Sequence, residues 1–366
     1  MRIVVTGATG FIGQNLLLYL DQYPSLQVLP LGHADPDSAW ASALTGADAV
    51  IHLAGVNRPR APSSYDHNAT IAERLAHIIE RVCPATTLVY ASSSRATELT
   101  PYGASKLAAE NTFLALSQRK GTKVRIFRLP NVFGKWARPN YNSAVATFCH
   151  NIARGLPIQI HDAAAPISIV YIDDVVRHLL SSATALDNDV YRTAEPTYLT
   201  TVGQLADSIN SFARGRDQLE ISEVGAGLTR ALYATYVSYL PPDSFSRRLV
   251  VHSDPRGGFC EVLKTALNGQ FSFFTALPGV TRGGHYHHTK TEKFVVVEGT
   301  ALFRFRHIIT NEIHEIRVTG SDPTVVDTIP GWAHDITNVG SSVLICLLWA
   351  NEVFDPKNPD TVSTRV

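Results

Sequence analysis

The chain has 366 residues, 45% of them apolar and 17% charged, so it can bury a sizeable core and lacks the composition of a disordered protein. Its 32 basic and 32 acidic residues give a formal net charge of zero, whereas a nucleic-acid-binding protein carries a basic excess. Four widely spaced cysteines exclude a disulfide framework and a cysteine-based zinc site. We therefore expect no nucleic-acid partner.

The chain contains no segment typical of membrane insertion or secretion. No apolar run reaches the ~18 residues that a membrane span needs. The sequence Met1-Arg2 leads directly into the strand-like run Ile3–Val5, without a secretory leader. We expect a cytoplasmic protein with no membrane partner.

Up to about residue 215, apolar strand-like runs alternate with segments of helical periodicity. The pairs are Ile3–Val5 then Gly13–Tyr19, Ala49–Leu53 then Ile71–Arg81, and Leu88–Ala91 then Tyr102–Leu116. This alternation predicts an α/β domain with a parallel sheet and helices on both faces.

After about residue 250, short β runs are broken by turns, and this region holds seven of the 14 histidines. This pattern predicts an all-β sandwich or barrel. With Pro241-Pro242-Asp243 as the linker, we predict one domain over residues 1–245 and another over 250–366. Residues 352–366 are predicted to be a frayed or interface-bound tail.

A glycine-rich turn follows the first predicted strand and opens a helix. Glycines there let the backbone approach a pyrophosphate, and the helix N-terminus offers free N–H groups to that anion. The candidate cofactor contacts are Gly7, Thr9, Gly10, Phe11, Ile12 and Gly13. The second strand ends at His33 without the acid that NAD-preferring folds place there, and Asp35 comes slightly late. This favours NADP over NAD, although no arginine stands there to bind the 2′-phosphate.

Tyr102 and Lys106 stand four residues apart at the start of a predicted helix and therefore share one face. A neighbouring ammonium lowers the pKa of a phenol and makes it a usable proton donor or acceptor. Ser92-Ser93-Ser94 ends the preceding strand and offers a hydroxyl for a substrate oxygen. The alternative is a solvated helix face without chemistry.

Together, the segments TGATGFIG, HLAG, SSS, YGASK and RLPNVFG resemble the extended short-chain dehydrogenase/reductases over roughly residues 1–240. The resemblance implies a Rossmann fold and hydride transfer at a sugar carbonyl. It implies Tyr102 as general acid and Lys106 as its pKa-tuning partner and ribose ligand. Ser94 is the first choice, and Ser93 the second, for orienting the carbonyl. The further cofactor contacts that it implies are His33, Leu53, Ala54, Gly55, Lys106, Leu129, Asn131 and Val132.

The arginine that this family often places before its Tyr-Val-Asp-Asp run is absent here. Substrate contacts must come from the carboxyl ends of other strands, where such folds bind ligands. The candidates are Arg58, Lys135 and Arg138 for phosphate, with Asn131 and Asn142 for sugar or uridine. Each could instead be an ordinary surface group.

The C-terminal region carries a two-part histidine motif. Its first part, from Gly279 to Gly299, reads G-x5-H-x-H-x4-E-x6-G, and its second, from Gly331, reads G-x2-H-x3-N. Three imidazoles and one carboxylate form a ligand set for a divalent transition metal with an open position. The alternative is a set of surface histidines on a structural barrel.

Both parts of the motif resemble the cupin superfamily, and RGGHY with GWAH also resembles the core of the cupin-fold dTDP-4-keto-sugar 3,5-epimerases. The cupin resemblance covers residues 252–366. It implies that His285, His287, Glu292 and His334 bind a metal. Tyr286, His288, Lys293 and His314 are candidate epimerase acid/base groups because they are close to the ligands in sequence.

The fused order, with AGVNRP, PYGASK, KWxRPNYNS and HYHHTKTEKF, resembles the bifunctional capsular-polysaccharide enzymes of the CapF/WbjC type over the whole chain. This implies zinc-dependent C3 epimerisation of a UDP-2-acetamido-2,6-dideoxy-4-hexulose, then C4 reduction by NADPH, in a homodimer. The alternatives are a 4-keto-sugar reductase with a structural or dimerising cupin, a non-catalytic NADP sensor, and an iron-dependent cupin dioxygenase.

Overall fold

The computed structural model describes residues 1–32, 34–58, 65–249, 251–254, 257–260, 264–265, 269–352 and 357–366. Two compact units divide them: Met1–Phe133 with Pro166–Thr200, and Gly134–Ala165 with Thr201–Val366. The segment 134–165 thus groups with the C-terminal unit. The predicted domain boundary near residue 245 stays a prediction.

The elements of the first half of the chain alternate between strand and helix. They are β1 (Arg2–Thr6), α1 (Phe11–Leu20), β2 (Gln27–Leu31), α2 (Asp37–Leu44), β3 (Ala49–His52), α3 (Asp66–Val82), β4 (Thr87–Ser93), α4 (Pro101–Lys120), β5 (Lys123–Leu129), β6 (Asn131–Phe133), α5 (Ala144–Ile152), β7 (Pro166–Tyr171), α6 (Ile172–Thr184), β8 (Tyr191–Arg192) and β9 (Thr197–Thr201).

The elements of the second half are mostly strands. They are α7 (Val202–Gln218), β10 (Glu220–Ile221), α8 (Gly227–Ser238), β11 (Ser246–Arg248), β12 (Val251–Asp254), β13 (Gly257–Cys260), β14 (Lys264–Thr265), β15 (Gln270–Ala276), β16 (Thr281–Tyr286), β17 (Glu292–Glu298), β18 (Thr300–His307), β19 (Ile313–Thr319), β20 (Thr324–Asp327), β21 (Trp332–Asn338), β22 (Leu344–Ala350) and β23 (Val362–Ser363).

The first unit contains a six-stranded parallel sheet with the strand order β2-β1-β3-β4-β5-β8. Every residue of β3 and β4 is buried, as expected for strands covered on both faces. Val50, Leu75, Phe113 and Ile126 belong to the core between the sheet and α2, α3 and α4. The predicted doubly wound α/β architecture is confirmed.

Strand order reverses at β1, which pairs with β2 on one side and β3 on the other. Such a switch point is where open α/β sheets bind ligands, at the carboxyl ends of the strands. The glycine-rich turn leaves β1 at this point and leads into α1, whose N-cap is Gly10. The sequence motif therefore occupies the position at which this topology opens a crevice.

The second unit contains two five-stranded antiparallel sheets, β11-β20-β17-β22-β15 and β19-β18-β21-β16-β23. Their inner faces meet through aromatic side chains, such as the rings of Phe294 on β17 and Phe303 on β18, whose centroids are 5.7 Å apart. This arrangement confirms the predicted all-β cupin-like barrel.

The end of the chain forms part of the second sheet. Val362 and Ser363 pair with Tyr286 and His285 of β16, and the N–H of Thr364 donates to the carbonyl of Gly284 at 2.9 Å. The prediction of a frayed tail is wrong for residues 362–364, because backbone hydrogen bonds hold them to the barrel, whereas an interface-bound tail stays a prediction. No helix of the described ranges is long and apolar enough to cross a membrane.

Candidate functional sites

The glycine-rich turn is built by close backbone approaches that only glycine permits. Gly7 has φ +70°, and a Cβ there would lie 2.5 Å from the backbone nitrogen of Ala54. A Cβ on Gly13 would lie 2.2 Å from the carbonyl oxygen of Gly7. The turn thus packs against residues 53–55 after β3, which brings two predicted cofactor segments together. His33 lies outside the described residues.

Tyr102 is the second residue of α4, which begins where the Thr100 hydroxyl accepts the N–H of Gly103 at 3.0 Å. Its hydroxyl donates to Asn57 Oδ1 at 3.4 Å. Burial raises the pKa of Tyr102, and a hydrogen bond with Ser93 and the charge of Arg95 oppose that rise. The phenol is therefore neutral at physiological pH and can donate a proton.

Ser93, rather than the preferred Ser94, is the serine beside Tyr102. Strand β4 ends at Ser93, whose side chain is buried and hydrogen-bonds to Tyr102. The preceding Ser92 points to the opposite face, where its hydroxyl donates to Glu110 at 2.5 Å. Ser94 is exposed and already belongs to the next turn. Strand alternation thus selects Ser93 as the carbonyl-orienting candidate.

Lys106 is fully buried one turn further along α4, and its Nζ donates to the carbonyl of Ala91 at 3.1 Å. Burial lowers the pKa of Lys106 to about 8. The groups that lower the pKa of Tyr102 are Ser93 and Arg95, so the expected tuning by Lys106 is not seen here. Lys106 is instead anchored to β4 through the Ala91 carbonyl.

Asp35, which follows β2, lies beside Arg74 of α3, although the two residues are far apart in the sequence. The Asp35 carboxylate accepts the N–H of Gly32 at 2.7 Å. Arg74 on α3 donates to the Asp35 carbonyl at 2.6 Å and to the Asp37 carboxylate at 2.7 Å. An arginine therefore lies beside the segment that follows β2, because α3 packs against α2.

The predicted substrate residues fall into both units. Asn131 begins β6 in the first unit and donates to the carbonyl of Ser168 at 3.1 Å, and Arg58 belongs to the same unit. Lys135, Arg138 and Asn142 lie in the segment that groups with the second unit. There Lys135 is buried, and the Arg138 guanidinium stacks 5.0 Å from the ring centroid of Tyr141.

The four predicted metal ligands converge between the two barrel sheets. His285 on β16 and His334 on β21 come from one sheet, Glu292 begins β17 in the other, and His287 directly follows β16. Their ligand atoms lie within 4.8 Å of one another. This cluster joins the two halves of the sequence motif in one place.

The chemistry of this cluster fits a divalent metal. Burial, with the neighbouring His334 and His287, lowers the pKa of His285 to about 3, so its ring is neutral. The Glu292 carboxylate is ionised, because hydrogen bonds with His287 and His334 overcome burial and hold its pKa well below the usual range. Nδ1 of buried His334 lacks a hydrogen-bond partner, and its Nε2 lies 3.4 Å from Glu292 Oε2. A metal ion would satisfy these donors.

The side chain of Lys290 contacts this cluster, and the sequence motif did not predict this contact. Its Nζ lies 3.0 Å from Glu292 Oε1, while Glu292 Oε2 lies 3.2 Å from Nε2 of His287. Lys293 points to the other face of β17 and pairs with buried Asp327, which also binds Arg216. Lys290 is two residues from Glu292, so extended backbone would place both side chains on the same side. Lys293 is one residue from Glu292 and would face the opposite side.

The other acid/base candidates occupy distinct surroundings. Tyr286 points away from its neighbours His285 and His287 on the strand, and its ring contacts His288 with centroids 5.4 Å apart. His314 on β19 is the register partner of Phe305 on β18, which in turn is the partner of His334. Phe305 therefore stands between His314 and the cluster.

Comparison with known proteins decides the family. The profile of the NAD dependent epimerase/dehydratase family matches residues 3–194, and that of the polysaccharide biosynthesis C-terminal domain matches residues 252–362. The chain belongs to the NAD dependent epimerase/dehydratase family. In this family member, the epimerase-type domain is joined to a second domain with its own metal-ligand cluster.

Two relatives match this family member over its whole length. A Pseudomonas aeruginosa protein, UDP-2-acetamido-2,6-beta-L-arabino-hexul-4-ose reductase, is 50% identical over 368 residues, covering 100% of this chain and 99% of its own. The crystal structure of the capsular polysaccharide assembling protein CapF from Staphylococcus aureus has a TM-score of 0.66 at 37% identity, with 100% of both chains covered. The predicted resemblance to the capsular-polysaccharide proteins of the CapF type is thus confirmed.

A UDP-glucose 4-epimerase structure from Thermotoga maritima matches 58% of this chain and 83% of its own at 22% identity, with a TM-score of 0.52. This match concerns the fold alone. The comparisons together identify a nucleotide-sugar enzyme with a reductase of a UDP-hexulose ketone among its close relatives.

Proposed function

We propose that this enzyme acts twice on a UDP-2-acetamido-2,6-dideoxy-4-hexulose, epimerising C3 in the cupin and reducing C4 in the Rossmann domain. One observation carries the proposal: a single chain combines the Ser93–Tyr102 pair with a separate cluster of three histidines and one glutamate. A relative at 50% identity over the full length is named as a reductase of such a 4-hexulose. The product is UDP-N-acetyl-6-deoxy-L-talosamine, a precursor of UDP-N-acetyl-L-fucosamine for capsule or O-antigen.

In the reductase half, NADPH supplies the hydride to C4. Ser93 hydrogen-bonds the carbonyl oxygen, and Tyr102 donates its proton to the alkoxide that develops there. Lys106 would bind the ribose of the bound cofactor, and its positive charge would assist proton transfer at the phenol. The glycine turn, with the helix N-terminus of α1, holds the pyrophosphate.

The choice of NADPH over NADH rests on the end of β2. Arg74 lies against the backbone of Asp35, so its guanidinium stands close to the end of the strand on which the adenosine ribose rests. The Asp35 carboxylate is engaged by the Gly32 N–H. We assign Arg74 as the group that binds the 2′-phosphate.

In the epimerase half, the C4 ketone acidifies the C3 proton, because the resulting carbanion delocalises into an enolate. When bound, zinc supplies a positive charge that stabilises the enolate oxygen. His285, His287, Glu292 and His334 hold the metal. A base on one face removes the proton, and an acid on the other face returns one. Lys290, which contacts Glu292, is the candidate that the geometry favours for one of these roles.

The remaining parts of the proposal are that the enzyme works in the cytoplasm as a homodimer and contains one zinc per chain. Its partner is the UDP-linked 4-keto-6-deoxy sugar. The short list of phosphate-binding candidates, Arg58, Lys135 and Arg138, fits a neutral chain that must bind a doubly charged ligand through local groups.

The decisive experiment separates the two half-reactions. The purified enzyme is incubated with the 4-keto substrate in D2O without NADPH, and deuterium at C3 is followed by NMR. We expect uptake that His334→Ala abolishes and Tyr102→Phe does not. NADPH oxidation with the same substrate should show the opposite dependence on Tyr102. Reduction without any uptake would mean that the cupin is structural, and the absence of both would indicate a sensor.

A further inference from the structure

The turn between the second and third metal ligands closes on a residue from the end of the chain. The Asp360 carboxylate accepts the backbone N–H groups of His288 at 2.8 Å, Thr289 at 2.7 Å and Lys290 at 2.6 Å. The Thr289 hydroxyl donates to it at 2.9 Å. Three consecutive N–H groups aimed at one anion form a nest, and charge-assisted bonds of this kind are strong.

The backbone of the same residue reaches a ligand directly. The Asp360 carbonyl oxygen lies 2.5 Å from Nδ1 of His287. A carbonyl only accepts, so Nδ1 carries the hydrogen of this bond, and Nε2, which lies 3.2 Å from Glu292 Oε2, is the ring nitrogen that faces the cluster. A hydrogen bond of this type sets the tautomer and the orientation of a metal-binding imidazole.

The other end of the turn reaches Glu292. Lys290, whose N–H is held by Asp360, places its Nζ 3.0 Å from Glu292 Oε1 and leaves Oε2 for the metal. Asp360 therefore orients the ligands on both sides of the turn. Its carbonyl orients His287, and its carboxylate, through Lys290, orients Glu292.

The position of Asp360 is itself fixed within the second unit. Strand β23 pairs with β16 two residues beyond it. On α8, Arg230 hydrogen-bonds to the Thr289 hydroxyl, pairs with Glu352 at 2.8 Å and lies 3.8 Å from the Asp360 carboxylate. This network ties the turn to α8 and to the end of the chain.

We infer that Asp360 is a positioning residue that holds His287 and Glu292 in metal-binding geometry, so that the C-terminal tail is a working part of the metal site. This inference rests on the metal site proposed above.

The test measures metal affinity on the full-length protein. Zinc is titrated in competition with a chromogenic chelator for the unchanged enzyme, Asp360→Ala and Asp360→Asn. We expect about 10- to 100-fold weaker binding for Asp360→Ala, the range seen when outer-shell partners are removed. Asp360→Asn, which retains one acceptor oxygen, should lie between it and the unchanged enzyme. Asp322→Ala is the matched control, because Asp322 is an exposed carboxylate of the same unit that pairs with Arg248 at 3.2 Å.

Two further measurements distinguish a positioning role of Asp360 from a general loss of structure. The visible absorption of the Co²⁺-loaded protein reports ligand geometry, and we expect it to change in Asp360→Asn. NADPH binding in the other unit should stay unchanged. If Asp360→Ala fails to fold, the zinc affinity and the cobalt spectrum of Asp360→Asn test the inference.

The outcomes of these measurements distinguish the role of Asp360 from the metal site proposed above. Affinities within twofold of the unchanged enzyme, with an identical cobalt spectrum, would overturn the role of Asp360 and leave the metal site intact. An unchanged enzyme that binds neither zinc nor cobalt would overturn both.

Discussion

His285 and His334 are register partners on the antiparallel strands β16 and β21, and their ring centroids are 4.7 Å apart. Direct cross-strand partners point to the same face of a sheet. A ligand from each half of the sequence motif is therefore placed by backbone pairing before any metal binds, and Glu292 faces them from the opposite sheet.

Removing the proposed proton donor should separate the two activities. In Tyr102→Phe, we expect NADPH-dependent reduction to fall at least about 100-fold, the scale of lost general acid catalysis. C3 deuterium exchange should be retained. Tyr65→Phe is the control, because its ring lies 5.7 Å from that of Tyr102 and the change is chemically the same. Equal losses in both variants would contradict the role of Tyr102.

The two neighbouring serines should differ in effect. We expect Ser93→Ala to lower kcat for reduction by about tenfold or more, because it removes a buried hydroxyl that bonds to Tyr102. Ser94→Ala, at an exposed position, should change kcat less than about threefold. Steady-state kinetics with saturating NADPH measures both, and the reverse order would restore Ser94 as the carbonyl-orienting residue.

The two lysines around Glu292 should separate metal-site effects from stability. Lys290→Met should reduce zinc affinity and C3 exchange, since its ammonium orients Glu292. Lys293→Met should instead lower the free energy of unfolding by about 3 kcal/mol, because it leaves the buried Asp327 carboxylate with one partner fewer. Chelator competition and urea unfolding measure the two effects. Loss of exchange in a folded Lys293→Met protein would contradict this division.

Cofactor choice should depend on Arg74. In Arg74→Ala, we expect KM for NADPH to rise about tenfold, because a charge-assisted bond to the 2′-phosphate is lost, while KM for NADH stays nearly constant. Arg177→Ala on α6, which removes an exposed arginine paired with Asp174 at 2.6 Å, serves as the control. A parallel rise for both cofactors would indicate a structural role for Arg74.

The reductase should lose activity on the alkaline side. Burial lowers the pKa of Lys106 from 10.5 to about 8, so its cation is present below that pH and is lost above it. The pKa of Tyr102 is raised, so its proton remains over the same range. We expect kcat/KM for reduction to fall as pH rises through about 8. A flat profile through this pH would show that the charge of Lys106 is not required.

The sequence by itself determined the features whose partners are near in the chain. The local spacings are those of Gly7 to Gly13, of Tyr102 and Lys106, and of His285 and His287. The α-helix, the β-strand and the strand–turn–helix junction place residues with such spacings on a shared face. Alternation of strands and helices was likewise sufficient to predict the parallel sheet, and short β runs broken by turns were sufficient to predict an all-β sandwich or barrel.

Only the tertiary structure decided what depends on register and long-range packing. The last residue of β4 selects Ser93 over Ser94, and the turn before β17 brings Lys290, rather than Lys293, to Glu292. Arg74 reaches the end of β2 through the packing of α3, and Asp360 reaches His287 across 73 residues through the pairing of β23. A one-residue shift reverses the face of a strand, and contacts between distant elements leave no local spacing in the sequence.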